Sequence, residues 1–314
     1  MSEFLHTNSF MLVVYTNKNS KLFNDAGKNV AEVYCDARKI GFLYDDFNPN
    51  QDKKKEWLKK FSNIIIYNVA PRIRTLHMDD KIFFAKYMKD NKYMPESHLS
   101  LETIDANTPE DQLFFVKKRN STGSRGVTIH KFKNMEHLDY TDAVIQKDIT
   151  NPHLYKDRRY KIRNYIFIHK KKVYLYKDGL ATVSCREYND NKEMTEKEVH
   201  DTNVIYQRND IEFFQFTILD DYDKIFNNML QSCVEFEKCY REDISKMSDS
   251  DYALLGFDYI VDTDFNVFII EINHRSNYSH PKHIEINVDV PMLEDCMKLV
   301  IDGNEQNTDY VCVV

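Results

Sequence analysis

A chain of 314 residues, 42% of them hydrophobic and 13% aromatic, can bury a large core, which excludes wholesale disorder. Its net charge of −7 provides no general basic footprint, so nucleic acid is not expected as a partner. The six cysteines include no C-x-x-C pair, which points to reduced thiols in the cytoplasm and away from structural zinc.

The N-terminal apolar stretch is too short for a membrane span and lacks a signal-peptide pattern, so no membrane partner is expected. In "SFMLVVYTN" and "NIIIYNVA" the apolar runs read as strands, with "KKKEWLKKF" a helix between them. Together they suggest a small α/β unit over residues 1–72. From Asp79 a helix is expected, with Ile82, Phe83, Tyr87 and Met88 on its apolar face. "DQLFFVKKRNSTGSRGVTIHKF" reads as strand, loop, strand, and "DAVIQKDI" as a further strand. "RRYKIRNYIFIHKKKVYLYKDG" reads as a strand pair around a lysine-rich turn from His169 to Lys172. Residues 194–206 read as a polar loop. Tyr222 to Lys246 is the clearest helix, with Ile225, Phe226, Met229, Cys233, Phe236 and Tyr240 at helical spacing. A last helix is expected with Asp289 as its cap and Pro291 in its first turn. The element order is α+β rather than doubly wound.

Three stretches could carry chemistry. Gly123 and Gly126 crowd the loop "RNSTGSRG" in a chain with only 7 glycines. Such a loop can aim backbone N–H groups at an anion, with Lys117 just before it; an ordinary glycine hairpin is the plainer reading. It is neither a Walker A loop nor a Rossmann fingerprint. Arg159, Lys161 and Arg163 alternate onto one face of a strand, either as a solvated edge or as a phosphate or carboxylate clamp. In "FDYIVDTDFNVFIIEIN", a turn centred between Asp264 and Phe265 sets Asp258 opposite Glu271, with Asn273 on the same face. Facing carboxylates repel unless a cation lies between them. The alternative is an edge hairpin with a wet polar face.

In order and spacing these motifs resemble the tubulin tyrosine ligase-like branch of the ATP-grasp enzymes. "FFVKKRNSTGSRGVTI" is similar to its lysine strand and glycine loop, "VIQKDI" to its adenine hinge, and "DRRYKIRNYIFI" to its arginine strand. "VYLYKDG", "HDTN" and "GFDYIVDTDFNVFIIEIN" follow in the family's order, the last as its metal hairpin. The resemblance implies an ATP-grasp fold with a central lobe over 73–147 and a C-terminal lobe over 148–314, the nucleotide lying between them. It further implies ATP and Mg2+ as cofactors, with Asp258, Glu271 and Asn273 as metal ligands. Lys117 and Lys81 would contact phosphates, together with the Gly123 and Gly126 loop. Gln146, Lys147, Asp148 and Ile149 would frame adenine, and Thr202 and Asn203 would line the site. Arg163 and Arg159 would be the catalytic cations, Arg163 stabilising charge as the γ-phosphate passes to a carboxylate. The implied reaction adds a free amino acid to a protein or peptide carboxylate, with tubulin the default acceptor. A basic groove from Arg158 to Arg163 and Lys170 to Lys172 could accommodate acidic tails.

The chain departs from the family pattern at two positions. Lys161 stands where an acidic residue is usual, and "DGLATVS" lacks an arginine usual after that glycine, Arg186 being the nearest substitute. Two rival readings follow: an ATP-grasp small-molecule kinase of the inositol phosphate type, and a catalytically degenerate nucleotide-binding protein.

Overall fold

The computed structural model describes residues 13–16, 20–34, 38–43, 49–61, 63–70, 77–119, 121, 126–188, 200, 212–274, 276 and 278–313. Two sheets organise them. The larger has ten strands. Its N-terminal part is parallel: β1 (Val13–Thr16), β2 (Lys39–Leu43) and β3 (Ile64–Val69), connected by α1 (Lys21–Val33) and α2 (Pro49–Lys60). β4 (Ser97–His98), β5 (Leu113–Lys118), β6 (Val127–Lys131) and β7 (Ala143–Lys147) form a separate antiparallel sheet in the order β4-β7-β5-β6. Between these two groups comes α3 (Lys81–Tyr87).

The chain then returns to the large sheet through β8 (Leu154–Tyr155), β9 (Arg158–His169), β10 (Lys172–Glu187) and β11 (Phe213–Gln215). The β9–β10 turn is tight, with positive φ at both Lys170 (48°) and Lys171 (65°), a turn geometry that matches strand twist. After α4 (Tyr222–Ser245) come β12 (Asp251–Val261) and β13 (Val267–Asn273). A helical turn over Lys282–Ile284 and a π-helical stretch over Glu285–Asp289 lead into α5 (Val290–Asp302), and β14 (Tyr310–Cys312) closes on β10. β12 pairs with β9 along one edge. On the other edge it takes β3 in parallel at Asp251 and Tyr252, so the N-terminal strands continue the large sheet.

Alternation along β9 and β12 explains both faces of this sheet. Ile162, Ile166 and Ile168 of β9, with Leu255, Phe257 and Tyr259 of β12, join one core cluster with Met229, Cys233 and Phe236 of α4. Tyr165 and Phe167, with Tyr252 and Leu254, join the opposite cluster with Leu22 and Phe23 of α1 and Leu293 and Leu299 of α5. Cys233 is therefore core, as its spacing indicates, and burial pushes its thiol up to about 12. Phe114, Val116, Ala143 and Ile145 make a separate small core under the second sheet.

Two local expectations need correction. In α3 the buried side chains are Phe84 and Ala85, with Met88 at the C-cap; Tyr87 is exposed and stacks on Tyr240 at 5.0 Å. The short helix meets the core along a face turned from the one its periodicity suggests. Asp289 is not a helix cap, because the helix continues upstream through it with α-helical dihedrals. Its fully buried carboxylate accepts instead from the Tyr165 hydroxyl at 3.0 Å and contacts His280 Nδ1 at 2.7 Å.

Gly256 on β12 is required by contact. A Cβ there would lie 2.1 Å from Ser276 Oγ and 2.9 Å from Arg163 Cδ. The Gly256→Ala variant is expected to lose about 1–3 kcal/mol of stability through forced displacement of both groups. Urea unfolding checks this, and an unchanged midpoint would count against the packing described.

Candidate functional site

The hairpin of β12 and β13 owes its useful geometry to a bulge. Val261 pairs with Val267 and Ile260 with Phe268, so the turn is centred on Asp264 rather than between Asp264 and Phe265. The Asp262 carboxylate fixes that turn by accepting from Asp264 N at 2.9 Å, Asn266 N at 2.8 Å and the Asn266 amide at 2.9 Å. Phe265 then takes a φ of 63°. Beyond Tyr259↔Ile269 the register shifts, and Asp258 faces Glu271 after all. Ile270 is the extra residue. Without the shift, Glu271 and Asn273 would share the core-facing side of Val267 and Ile269; with it, Ile272 takes the core position.

The result is a row across three adjacent strands: Arg163 on β9, Asp258 on β12 and Glu271 on β13. Asp258 is 1% exposed, and both its oxygens are engaged. Oδ1 accepts from Arg163 Nε at 2.5 Å; Oδ2 accepts from Arg163 Nη2 at 2.8 Å and from Lys161 Nζ at 3.1 Å. Lys161 lies two residues from Arg163 on the same face, within diagonal reach across the strand pair. Burial by itself would raise the Asp258 carboxyl, but Arg163 and Lys161 outweigh it and hold it well below the usual carboxylate range. Glu271 is partly exposed and lies 3.2 Å from Lys81 Nζ.

The second sheet faces this row. Lys117 donates to Gln146 Oε1 at 2.6 Å and, across the cleft, to the bulge carbonyl of Ile270 at 3.1 Å. Gln146 in turn donates to Ser97 Oγ at 3.1 Å. Lys81 donates to the Ser121 carbonyl at 2.8 Å, which ties α3 to the start of the glycine loop. At the other end of that loop Gly126 approaches Ser121 so closely that a Cβ would meet the Ser121 Cβ at 2.3 Å. Between the sheets lies a narrow cleft lined by Lys81, Lys117, Gln146, Ile270 and Glu271 among others.

The expected hinge is held from the side. The peptide N–H of Lys147 donates to Glu96 O at 2.8 Å, and its ammonium meets the Glu96 carboxylate at 2.8 Å. Asp148 is buried and accepts from Arg159 Nη2 at 2.8 Å, and the Ile149 carbonyl accepts from the same nitrogen at 2.6 Å. Arg159 also contacts His200 Nδ1 and lies over the Tyr188 ring at 5.1 Å. Only 3% exposed, Arg159 thus clamps the hinge and His200 together, apart from the Arg163–Asp258–Glu271 row. Gly123, Thr202 and Asn203 lie outside the described residues.

The expected basic groove is not a continuous patch. Arg158 and Lys156 both pair with Glu212, Lys172 pairs with Glu305, and Arg159, Lys161 and Arg163 are spent on Asp148 and Asp258. Arg186 is exposed at the far end of β10. Asp80 is an unanticipated member: it caps α3 through Ile82 N and Phe83 N and meets Arg119 Nε at 2.5 Å. An Asp directly before a helical run is the signal that marks it. Among the described residues no group of three or more His, Cys, Asp or Glu side chains is arranged to hold a metal ion. No described helix is long and apolar enough to cross a membrane.

A family model described as the tubulin-tyrosine ligase family matches residues 42–309. The chain belongs to that family. The two facing sheets are the ATP-grasp arrangement that membership implies. Among similar proteins, tubulin glycylase 3C of Tetrahymena thermophila is 25% identical over 228 residues, covering 63% of this chain and 21% of that protein. Tubulin polyglutamylase TTLL7 of Xenopus tropicalis is 22% identical over 271 residues, covering 74% and 28%. Probable tubulin polyglutamylase TTLL9 of Bos taurus is 25% identical over 195 residues, covering 52% and 40%. The match therefore spans less than half the length of these relatives.

Lys117 gives the site a pH signature. Burial, the largest influence, lowers its ammonium from 10.5 to about 8 against the opposing pull of Glu271. The folded protein releases this proton before the unfolded chain does, so Lys117 makes stability rise with pH between about 8 and 10.5. An anion in the cleft favours the charged amine. Affinity for tripolyphosphate is expected to hold below pH 8 and to fall at higher pH. Calorimetric titration across that range checks it, with Lys117→Met expected to flatten the profile.

Proposed function

We propose that this chain is a cytoplasmic, ATP- and Mg2+-dependent carboxylate–amine ligase that adds an amino acid to a protein or peptide carboxylate. The observation that carries the reading is the Arg163–Asp258–Glu271 row facing Lys117 and Lys81 across the cleft, in a chain of this family. In the proposed reaction an acceptor carboxylate oxygen attacks the γ-phosphorus of ATP and ADP departs, giving an acyl phosphate. The amine of the incoming amino acid then attacks the acyl carbon, loses a proton, and phosphate leaves. Such chemistry asks a protein mainly for positioning and for cations around transferring charge.

In this reading Lys117 addresses the phosphates from the second sheet, Lys81 from the start of α3 and Arg163 from the large sheet. Gly123 and Gly126 supply backbone N–H groups, Gln146 to Ile149 frame the base, and Thr202 and Asn203 line the site. Arg159 acts as a positioning residue, holding Asp148 and Ile149 rather than touching reacting atoms. The lobe boundaries proposed are 73–147 and 148–314, with 1–72 preceding them. For the metal, Glu271 and Asn273 fit, since both offer hard oxygen donors and neither is fully buried. Asp258 does not fit as a third ligand, because its carboxylate is already filled by Lys161 and Arg163. Magnesium bound with nucleotide would neutralise phosphate charge. Glycine and glutamate are the first donors, and tubulin the first acceptor, that the relatives' names suggest.

The decisive assay is ADP release from ATP and Mg2+ with each amino acid, with and without tubulin or carboxy-terminal peptides. Release requiring one amino acid and one acceptor is expected, with a loss of about 100-fold or more in Glu271→Gln. The Lys161–Asp258 contact favours a second reading, a nucleotide-binding chain without turnover. Nucleotide binding with no amino-acid-dependent release would establish it.

A further inference from the structure

The charges around Asp258 do not match those of a carboxylate waiting for a metal ion. The carboxylate is nearly sealed from solvent, and three charge-assisted donors from two side chains fill both its oxygens. Arg163 is set directly opposite it by strand register, and Lys161 reaches it along the diagonal. Lys161 is itself only 6% exposed. Its stem lies in the sheet beside Thr182 of β10, so the ammonium has no open route to solvent comparable with that of a surface lysine.

Mg2+ requires oxygens at about 2.0–2.1 Å in near-octahedral array, and it gives up its own water reluctantly. It could not reach Asp258 without expelling the ammonium. The wider cleft opposes it too. Among the described residues Lys81 and Lys117 line it, with Lys161 and Arg163 behind them on Asp258, against the carboxylates of Asp79, Glu271 and Asp258. Such a cleft repels a free divalent cation and attracts a polyphosphate anion before any metal arrives.

We propose that the Lys161 ammonium is a fixed counter-cation that closes Asp258 to divalent metal, so that binding of a nucleoside triphosphate, as distinct from its turnover with metal at Glu271 and Asn273, depends little on Mg2+. This rests on the nucleotide-dependent reading above only for its second half. The closure of Asp258 stands on the contacts alone. A purely structural salt bridge would leave metal affinity unaltered when Lys161 is replaced. A counter-cation would not.

The test uses the full chain and two readouts. The first is Mn2+ uptake without nucleotide, followed by electron paramagnetic resonance of free Mn2+, in wild type, Lys161→Asp and Lys161→Met. Wild type is expected to take up no Mn2+ at this site below about 1 mM, and Lys161→Asp to bind it at least about tenfold more tightly. The gain should vanish when Asp258→Asn is added to Lys161→Asp. Should Lys161→Asp fail to fold by circular dichroism, Lys161→Met keeps the stem, removes the charge and carries the same measurement. The second readout is binding of a fluorescent ATP analogue in Mg2+ and in EDTA. Wild-type affinity is expected to change by less than about threefold, and that of Lys161→Asp to fall more than about tenfold in EDTA. Mn2+ binding by wild type as tight as by the variants would overturn the closure. A wild-type loss in EDTA equal to the variant's would overturn the metal independence. Failure of every protein to bind the analogue would instead sink the nucleotide reading, while the Mn2+ result still decides the role of Lys161.

Discussion

A buried carboxylate without partners is among the costliest things a fold can contain, and Asp258 sits at the centre of this one. Removing one partner from such a buried pair typically costs about 3–5 kcal/mol. That penalty fixes the relative register of three strands. Arg163 must lie opposite Asp258 on β9, Lys161 must lie on the same face two residues away, and Gly256 must remain bare to let Arg163 pass. The same strands build both large core clusters, so the charge cluster and the hydrophobic core enforce one register between them. Chemistry and packing are aligned by the parity of β9 and β12.

The second sheet is attached to this frame by a few polar contacts rather than by a shared core. Its own apolar cluster is small and separate. Among the described residues the cleft is spanned by the Lys117 ammonium on the Ile270 carbonyl and, from α3, by the Lys81 ammonium beside Glu271, while Arg159 clamps Asp148 and Ile149 at its end. The first two are cations that an anionic ligand would also engage. Ligand binding and the relation of the two sheets are therefore linked through the same nitrogen atoms.

Much of this was legible in the sequence. The strands of "FFVKKRN" and "DAVIQKDI", the long helix of Tyr222 to Lys246 and the core position of Cys233 follow from period and composition alone. So does the opposition of Asp258 and Glu271, although the turn assumed for it was off by half a residue and the bulge restored the pairing. The bulge itself had no clear signal: Val267, Phe268, Ile269 and Ile270 are all apolar, so the pattern does not mark where the parity changes. The destinations of the charged side chains were not legible. Nothing local in "RRYKIR" says that Arg159 turns to Asp148 while Lys161 turns to Asp258, because those partners are 11 and 97 residues away. Nor does the sequence around Asp289 announce that its carboxylate serves Tyr165 and His280 instead of a helix end.

The bulge at Ile270 also bears on how this protein can change over generations. Loops between antiparallel strands commonly absorb insertions and deletions, since length is lost or gained in solvent. Here the bulge is such an insertion held inside a strand instead of in solvent. One residue removed from that stretch would absorb the bulge and restore unbroken alternation, with Glu271 and Asn273 still facing the cleft and Ile272 still in the core. Lineages descending from this chain can lose that residue without turning the site inside out.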